Sequence, residues 1–284
     1  MMDFSDIRRT VIVALFSDEL LTETLVLKGG NAINLVYGFG SRSSIDIDVS
    51  IENDFTNRAD FRKRLFTSLR ERFRRVGYVL FDEKFVFKPS LGIADGVGEW
   101  GGYEIWFKII EEKTFDALEG DLEKIRRNAS VISPLQKRTF KIQISKFEFC
   151  AAKIQRTIED CTIYVYTPAM IALEKLRALC QQMPEYSYVR HKRPRARDFY
   201  DIHCVLTEGA VNLRTASSLE LARGIFAAKK VPLNLLPRIG DYREFHRQDW
   251  AGVEDSVSGG LREFDFYFDF VVQEVSRLEP LWVK

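Results

Sequence analysis

Apolar residues recur at three- and four-residue intervals through 3–24, Ile7, Val11, Leu15 and Leu21 among them, and predict an amphipathic helix. The period then changes. Residues 25–28 form a short strand-like run. Residues 45–51 alternate Ile45, Ile47 and Val49 with Asp46 and Asp48, the two-residue period of a half-buried strand. A helical period returns over 55–75 with a basic polar face that includes Arg58, Arg62, Arg64, Arg70 and Arg74. Strands follow near 78–87 and 103–110, separated by a glycine-bearing loop over 89–102. Residues 140–149 read as a further strand, with Ile142 and Ile144 on one face and Gln143 and Ser145 on the other.

Beyond a short apolar run at 164–166 the pattern becomes helical. Thr167-Pro168 is a helix start, with Thr as N-cap and Pro at the first helical position, and predicts a helix over 169–181. A polar, proline-containing loop over 183–194 leads to a second helix at 196–207, and helical periods recur over 216–228 and 261–278. No internal repeat or low-complexity tract appears. The pattern therefore predicts an α/β domain over 1–166 and a helical domain over 167–284.

Composition narrows the class. The chain has 284 residues, 42 basic and 41 acidic, so attraction to nucleic acid must come from local patches. Cys150, Cys161, Cys180 and Cys204 show no paired spacing and read as reduced thiols, and His191, His203 and His246 are scattered singly, which argues against zinc. The N-terminus lacks the layout of a signal peptide, and no apolar stretch reaches the roughly 18 residues of a membrane span. A cytoplasmic protein with no membrane partner is the expectation.

Candidate chemistry concentrates between residues 28 and 50, KGGNAINLVYGFGSRSSIDIDVS. Asp46 and Asp48 share one face of their strand, roughly 7 Å apart along it. Two adjacent carboxylates repel each other, and a divalent cation relieves that. Oxygen donors suit Mg²⁺ or Mn²⁺, which takes one or two protein carboxylates with waters and substrate phosphates. Gly29 and Gly30 permit positive φ and a close backbone approach, and the helix expected over 31–37 would aim its first amides at a phosphate. A turn followed by two surface aspartates is the plain alternative. The order strand, Gly-Gly, helix and D-x-D strand favours a metal-dependent nucleotidyl-transfer site.

Farther along, Lys175 lies off the apolar stripe of Leu173, Leu176 and Leu179, and Asp198 and Asp201 are i,i+3 neighbours on the next helix, entered through Arg195 and Arg197. A lysine there could offset triphosphate charge and an aspartate could hold it. Each residue taken alone also fits a solvated helix face. The basic 55–75 helix offers an RNA-facing stripe or, equally simply, an exposed surface.

The two groups together, KGG-x-A-x-x-L-x-Y-G…R-x-S…D-I-D and then LEKL-x-AL with R-x-R-D-x-Y-D-I, resemble the AbiEii/AbiGii nucleotidyltransferase toxin family. That family is a branch of the DNA polymerase β-type nucleotidyltransferase superfamily that includes the MenT-type toxins. The likeness runs over roughly residues 25–207. It implies an α+β fold: a polymerase β-like nucleotidyltransferase mixed sheet with flanking helices, then a mostly helical C-terminal domain that contributes Lys175 and Asp198 to the site. It also implies that Asp46 and Asp48 ligate the metal and that Gly29, Gly30, Asn31, Arg42, Ser43 and Lys175 serve the nucleotide. Asp198 matches the family's essential aspartate. The implied reaction moves a nucleoside monophosphate from an NTP to an acceptor, in some members the 3′ end of tRNA, and a nearby-encoded antitoxin counters it.

This chain departs from the pattern in places. Asn31 stands where Ser or Thr is common. The superfamily's third carboxylate would fall on the 140–149 strand, where Gln143 stands and cannot take a proton; Glu148 or Asp198 are the substitutes to weigh. That gap keeps a non-catalytic nucleotide- or RNA-binding module in view, beside a transferase acting on a small-molecule or protein acceptor.

Overall fold

The helical period over 3–24 resolves into two helices, Phe4–Leu15 and Glu19–Thr24, in the computed structural model, which describes residues 2–42, 44–88, 101–133 and 136–283. Asp18 makes the break: its carboxylate accepts the Leu21 amide at 3.1 Å and caps the second helix. The strands are β1 (Val26–Lys28), β2 (Ile47–Ser50), β3 (Tyr78–Lys88), β4 (Gly102–Glu111), β5 (Phe140–Ser145), β6 (Ile154–Ile158) and β7 (Cys161–Val165). Of the expected 89–102 loop, residues 89–100 lie outside the described residues. β5 ends earlier than its apolar run implies, because Phe147 takes a positive φ of 54° and turns the chain. β6 escapes the sequence pattern because Gln155, Arg156 and Thr157 are all exposed and show no alternation.

The seven strands form one mixed sheet in the order β3-β4-β5-β2-β1-β7-β6. β3 with β4 and β4 with β5 are antiparallel, whereas β5 with β2 and β1 with β7 are parallel. This is the α+β mixed sheet with flanking helices that the sequence implied. The helix Arg58–Arg75 packs one face of it, with Phe61 against Phe85 (ring centroids 6.3 Å apart) and Phe73 against Phe107 (5.9 Å). Alternation along β2, β5 and β4 then sends Asp48, Gln143 and Glu104 to the other face.

Two compact units emerge. The first comprises residues 1–27, 45–146 and 155–165; the second comprises 28–44, 147–154 and 166–284. The last crossing lies between Val165 and Tyr166, and two earlier stretches, 28–44 and 147–154, also belong to the second unit. Side-chain pairing explains this: Arg42 and Glu148 both bond to residues of the later helices. The second unit contains the helices Pro168–Cys180, Ala196–Glu208, Ala216–Ala227 and Phe264–Ser276, with a 3-10 stretch at Leu233–Tyr242. Its core includes Phe199, stacked on Phe268 at 5.0 Å and edge-on to Phe264 at 5.6 Å. The cysteines are all free thiols, and among the described residues no helix is long and apolar enough to cross a membrane.

Candidate functional site

In the first unit, Asp46 occupies the bend before β2 and Asp48 its second position, flanked by the fully buried Ile47 and Val49. Asp46 Oδ2 sits 2.7 Å from Lys141 Nζ. Asp48 is the register partner of Gln143, whose Nε2 donates to Asp48 Oδ1 at 3.3 Å. Gln143 thus occupies the place next to the D-x-D strand where a third carboxylate was sought. The next residue in that row is Glu104, register partner of Gln143 on β4 and 3.5 Å from Lys88. No group of three or more His, Cys, Asp or Glu side chains able to hold a metal occurs among the described residues. The donor chemistry of Asp46 and Asp48 nonetheless fits a hard cation that completes its shell with water and phosphate. The Lys141 ammonium already beside Asp46 shows that this carboxylate holds positive charge.

The second unit gathers the remaining residues. Lys28 ends β1, and Gly29 follows at a φ of 71°, a conformation that an L side chain would strain. Helical geometry begins there, two residues earlier than expected, as one α turn over Gly29–Asn31 that passes into a π turn over Ala32–Val36. Gly30 is required for a different reason. A methyl group on it would lie 2.7 Å from Ser44 Cβ and 2.9 Å from Arg42 Nη2. Asn31 is buried immediately behind. Ser43 lies outside the described residues.

Arg42 reaches from this turn to the Ala196–Glu208 helix, donating from Nε to Asp201 Oδ1 at 2.9 Å and from Nη2 to Oδ2 at 2.8 Å, a bidentate pair. Lys175 Nζ lies 2.7 Å from Asp201 Oδ2 and 2.8 Å from Asp198 Oδ1. Asp198 in turn accepts from Arg195 Nε. Lys175 and Arg177 lie off the apolar stripe of their helix and are nevertheless buried, because the helix is covered nearly all round and carboxylates meet its polar side. Burial alone would favour neutral Asp198 and Asp201. The charges of Arg195 and Lys175 on one, and of Arg42 and Lys175 on the other, outweigh it and hold both well below the usual carboxylate range. Burial likewise disfavours the Lys175 ammonium, and the two aspartates more than compensate, raising its pKa. His246 Nδ1 accepts the Arg195 amide at 3.1 Å, and burial pushes that imidazole down to about 4.

Asp201 joins this cluster although the motifs point only to Asp198. Its i,i+3 spacing from Asp198 was visible, but its bonds to Arg42 and Lys175 join stretches far apart in the chain. Glu148, weighed as a substitute for the third carboxylate, is committed elsewhere. Although it is buried, Arg177 at 2.7 Å, with Lys28 and Lys229, holds it strongly ionised. The arginine stripe of the Arg58–Arg75 helix is also largely neutralised: Arg58 pairs with Asp54, Arg64 with Asp60 and Asp18, Arg70 with Glu83, and Arg72 with Glu159.

Residues 10–270 match a protein family described as "Nucleotidyl transferase AbiEii toxin, Type IV TA system". Among curated proteins no match was found. Similar solved structures include JHP933 from Helicobacter pylori, at 15% identity and a TM-score of 0.49, covering 98% of this chain and 91% of that one. An antigenic nucleotidyltransferase-like protein from Paracoccidioides brasiliensis is also similar, at 15% identity and a TM-score of 0.38, covering 78% and 92%.

Proposed function

The chain belongs to the AbiEii family of nucleotidyltransferase toxins, and from that membership we propose that it moves a nucleoside monophosphate from an NTP onto RNA, at the 3′ end of tRNA. A cognate antitoxin follows from the type IV toxin–antitoxin assignment of the family. The observation that carries the reading is the ion-pair cluster Arg42–Asp201–Lys175–Asp198–Arg195, buried at Lys175, Asp198 and Asp201, with Arg42 packed against Gly30. Ordinary helix surfaces do not bury a lysine and two carboxylates together, since their desolvation is costly unless each charge is closely paired.

In this mechanism the backbone at Gly29 and Gly30 approaches the triphosphate, and Arg42 and Lys175 offset its charge. Asp198 and Asp201 keep both cations charged and oriented. A carboxylate held so far below its usual pKa is a weak base, so Asp198 serves better as the holder of Lys175 than as a proton acceptor. Asp46 and Asp48 would hold Mg²⁺ or Mn²⁺, which when bound lowers the charge barrier to in-line displacement at phosphorus. The acceptor hydroxyl oxygen forms a bond to the α-phosphorus, the bond from that phosphorus to the pyrophosphate oxygen breaks, and the hydroxyl proton passes to solvent.

Purified protein incubated with Mg²⁺, each α-labelled NTP in turn and total RNA tests this. Label should enter RNA with the native protein and drop by at least about a hundredfold in Asp46→Ala and Lys175→Ala, the scale of losing a main electrostatic stabiliser. Labelling that survives both substitutions would sink the residue assignment. One observation favours a second reading: Gln143 beside Asp48 suits a nucleotide-binding module without turnover. That reading predicts NTP binding with no pyrophosphate release.

A further inference from the structure

The loop between the two site helices of the second unit, with the first turn of the second helix, contains Arg190, His191, Lys192, Arg193, Arg195 and Arg197 within ten residues that include no Asp or Glu. Its inner side is pinned. Lys192 Nζ donates to the carbonyl oxygens of Gln181 at 3.0 Å and Tyr186 at 2.5 Å, and lies 5.7 Å from the Tyr186 ring. The Arg193 amide donates to Gln182 Oε1 at 3.0 Å, and the Tyr186 hydroxyl to the carbonyl of Lys229 at 2.7 Å. Its outer side faces solvent: Arg190, His191, Arg193 and Arg197 are exposed, and Tyr188 is 42% exposed, an unusual position for a large aromatic ring.

Among the described residues, Arg190, Arg193 and Arg197 form no side-chain ion pair. They differ in this from the arginines of the Arg58–Arg75 helix, most of which are matched by carboxylates. Cationic side chains with an aromatic ring among them suit a single-stranded nucleic acid, whose phosphates meet the arginines and whose bases stack on the ring. An acidic protein surface would use the charges but has less use for an exposed ring. A backbone already anchored loses little freedom when it binds. The loop also ends at Arg195, which bonds to Asp198 and through it to Lys175.

We propose that Tyr188, Arg190, Arg193 and Arg197 form the docking surface for the single-stranded 3′ end of the acceptor RNA, held next to the Lys175–Asp198 cluster. This rests on the RNA-directed reading of the function and adds the surface that selects the acceptor. The near-neutral chain makes that attraction local.

The full-length protein is titrated with a short fluorescent single-stranded RNA carrying the tRNA 3′ sequence, over a range of salt and without NTP. The triple variant Arg190→Ala/Arg193→Ala/Arg197→Ala should bind at least about tenfold more weakly, and its log–log salt slope should shrink by about 2 as three phosphate contacts vanish. Tyr188→Ala should weaken binding about five- to tenfold with the slope unchanged, since stacking releases no counterions. Both variants should keep native melting and native NTP affinity. Unchanged RNA affinity in both overturns the proposal. So does weakened NTP affinity, which would make the loop part of the nucleotide pocket, or weakened binding of the cognate antitoxin with RNA binding intact. If the native protein labels no RNA from any NTP, the functional reading falls and takes the docking surface with it. If it labels RNA and the loop variants label equally well, the docking surface alone falls.

Discussion

Asp201 accepts from Arg42 through both carboxylate oxygens while also holding Lys175, so removing its charge takes away the carboxylate that the two neighbouring cations share. Asp201→Asn should therefore destabilise the fold by about 3–5 kcal/mol, the usual result of breaking a buried ion pair, and weaken NTP binding at least tenfold in the fraction that stays folded. Calorimetric titration beside thermal unfolding checks this, and native NTP affinity in a folded Asn variant would contradict it. His246 adds a pH effect. Its folded-state pKa of about 4 lies below its ordinary 6.5, so the unfolded chain takes up the proton first as pH falls. Stability is intact above about pH 6.5 and declines toward pH 4, by roughly 3 kcal/mol over the whole interval. Melting curves across that range should flatten in His246→Gln; an equal decline in both proteins would rule out this imidazole as the source.

At the scale of elements, the turn from β1 into the helical segment at Gly29 is tightly constrained. Gly29 needs its positive φ, and Gly30 needs the space that Ser44 and Arg42 leave for a hydrogen and not for a methyl group. Gly30→Ala should cost about 1–3 kcal/mol, as overpacking does, and weaken NTP binding by displacing Arg42. Equal NTP affinity in the Ala variant would show that the turn has slack. The basic helix teaches the opposite lesson. Its periodicity and charge are plain in the sequence, but Asp18, Glu83 and Glu159, which pair with Arg64, Arg70 and Arg72, come from other parts of the chain. The loop expected over 183–194 reads as a connector in the sequence, yet Arg190 and Arg193 in it are exposed and form no side-chain ion pair among the described residues.

Across the molecule, Glu148 shows how distant segments are tied together. It meets Lys28 from the end of β1, Arg177 from the Pro168–Cys180 helix and Lys229 from beyond the Ala216–Ala227 helix, all within the second unit. Burial pushes the Lys229 ammonium down to about 8, against the pull of Glu148. Glu148→Gln would leave Lys28, Arg177 and Lys229 around a neutral amide, with Glu174 still beside Lys28 and Arg177. It should destabilise the protein by about 3–5 kcal/mol and loosen Lys28, the residue before Gly29, with denaturant unfolding as the measure. A change below about 1 kcal/mol would mean that water or rearrangement relieves those charges, as at exposed pairs.

Local chemistry wrote much of this protein into its sequence. The alternation around Asp46 and Asp48, the Thr167-Pro168 helix start, the diglycine turn and the spacing of Asp198 and Asp201 all follow from short-range periodicity and backbone preference. The same motifs sufficed to name the family. Only tertiary structure decided which charges are neutralised and which are exposed. It put Gln143 beside Asp48, committed Glu148 to a cation cluster and made Asp201 the link between Arg42 and Lys175. It also assigned residues 28–44 and 147–154 to the helical unit. The reason is physical: periodicity is set by neighbours a few residues away, whereas desolvation and ion pairing depend on partners that only folding brings within a few ångströms.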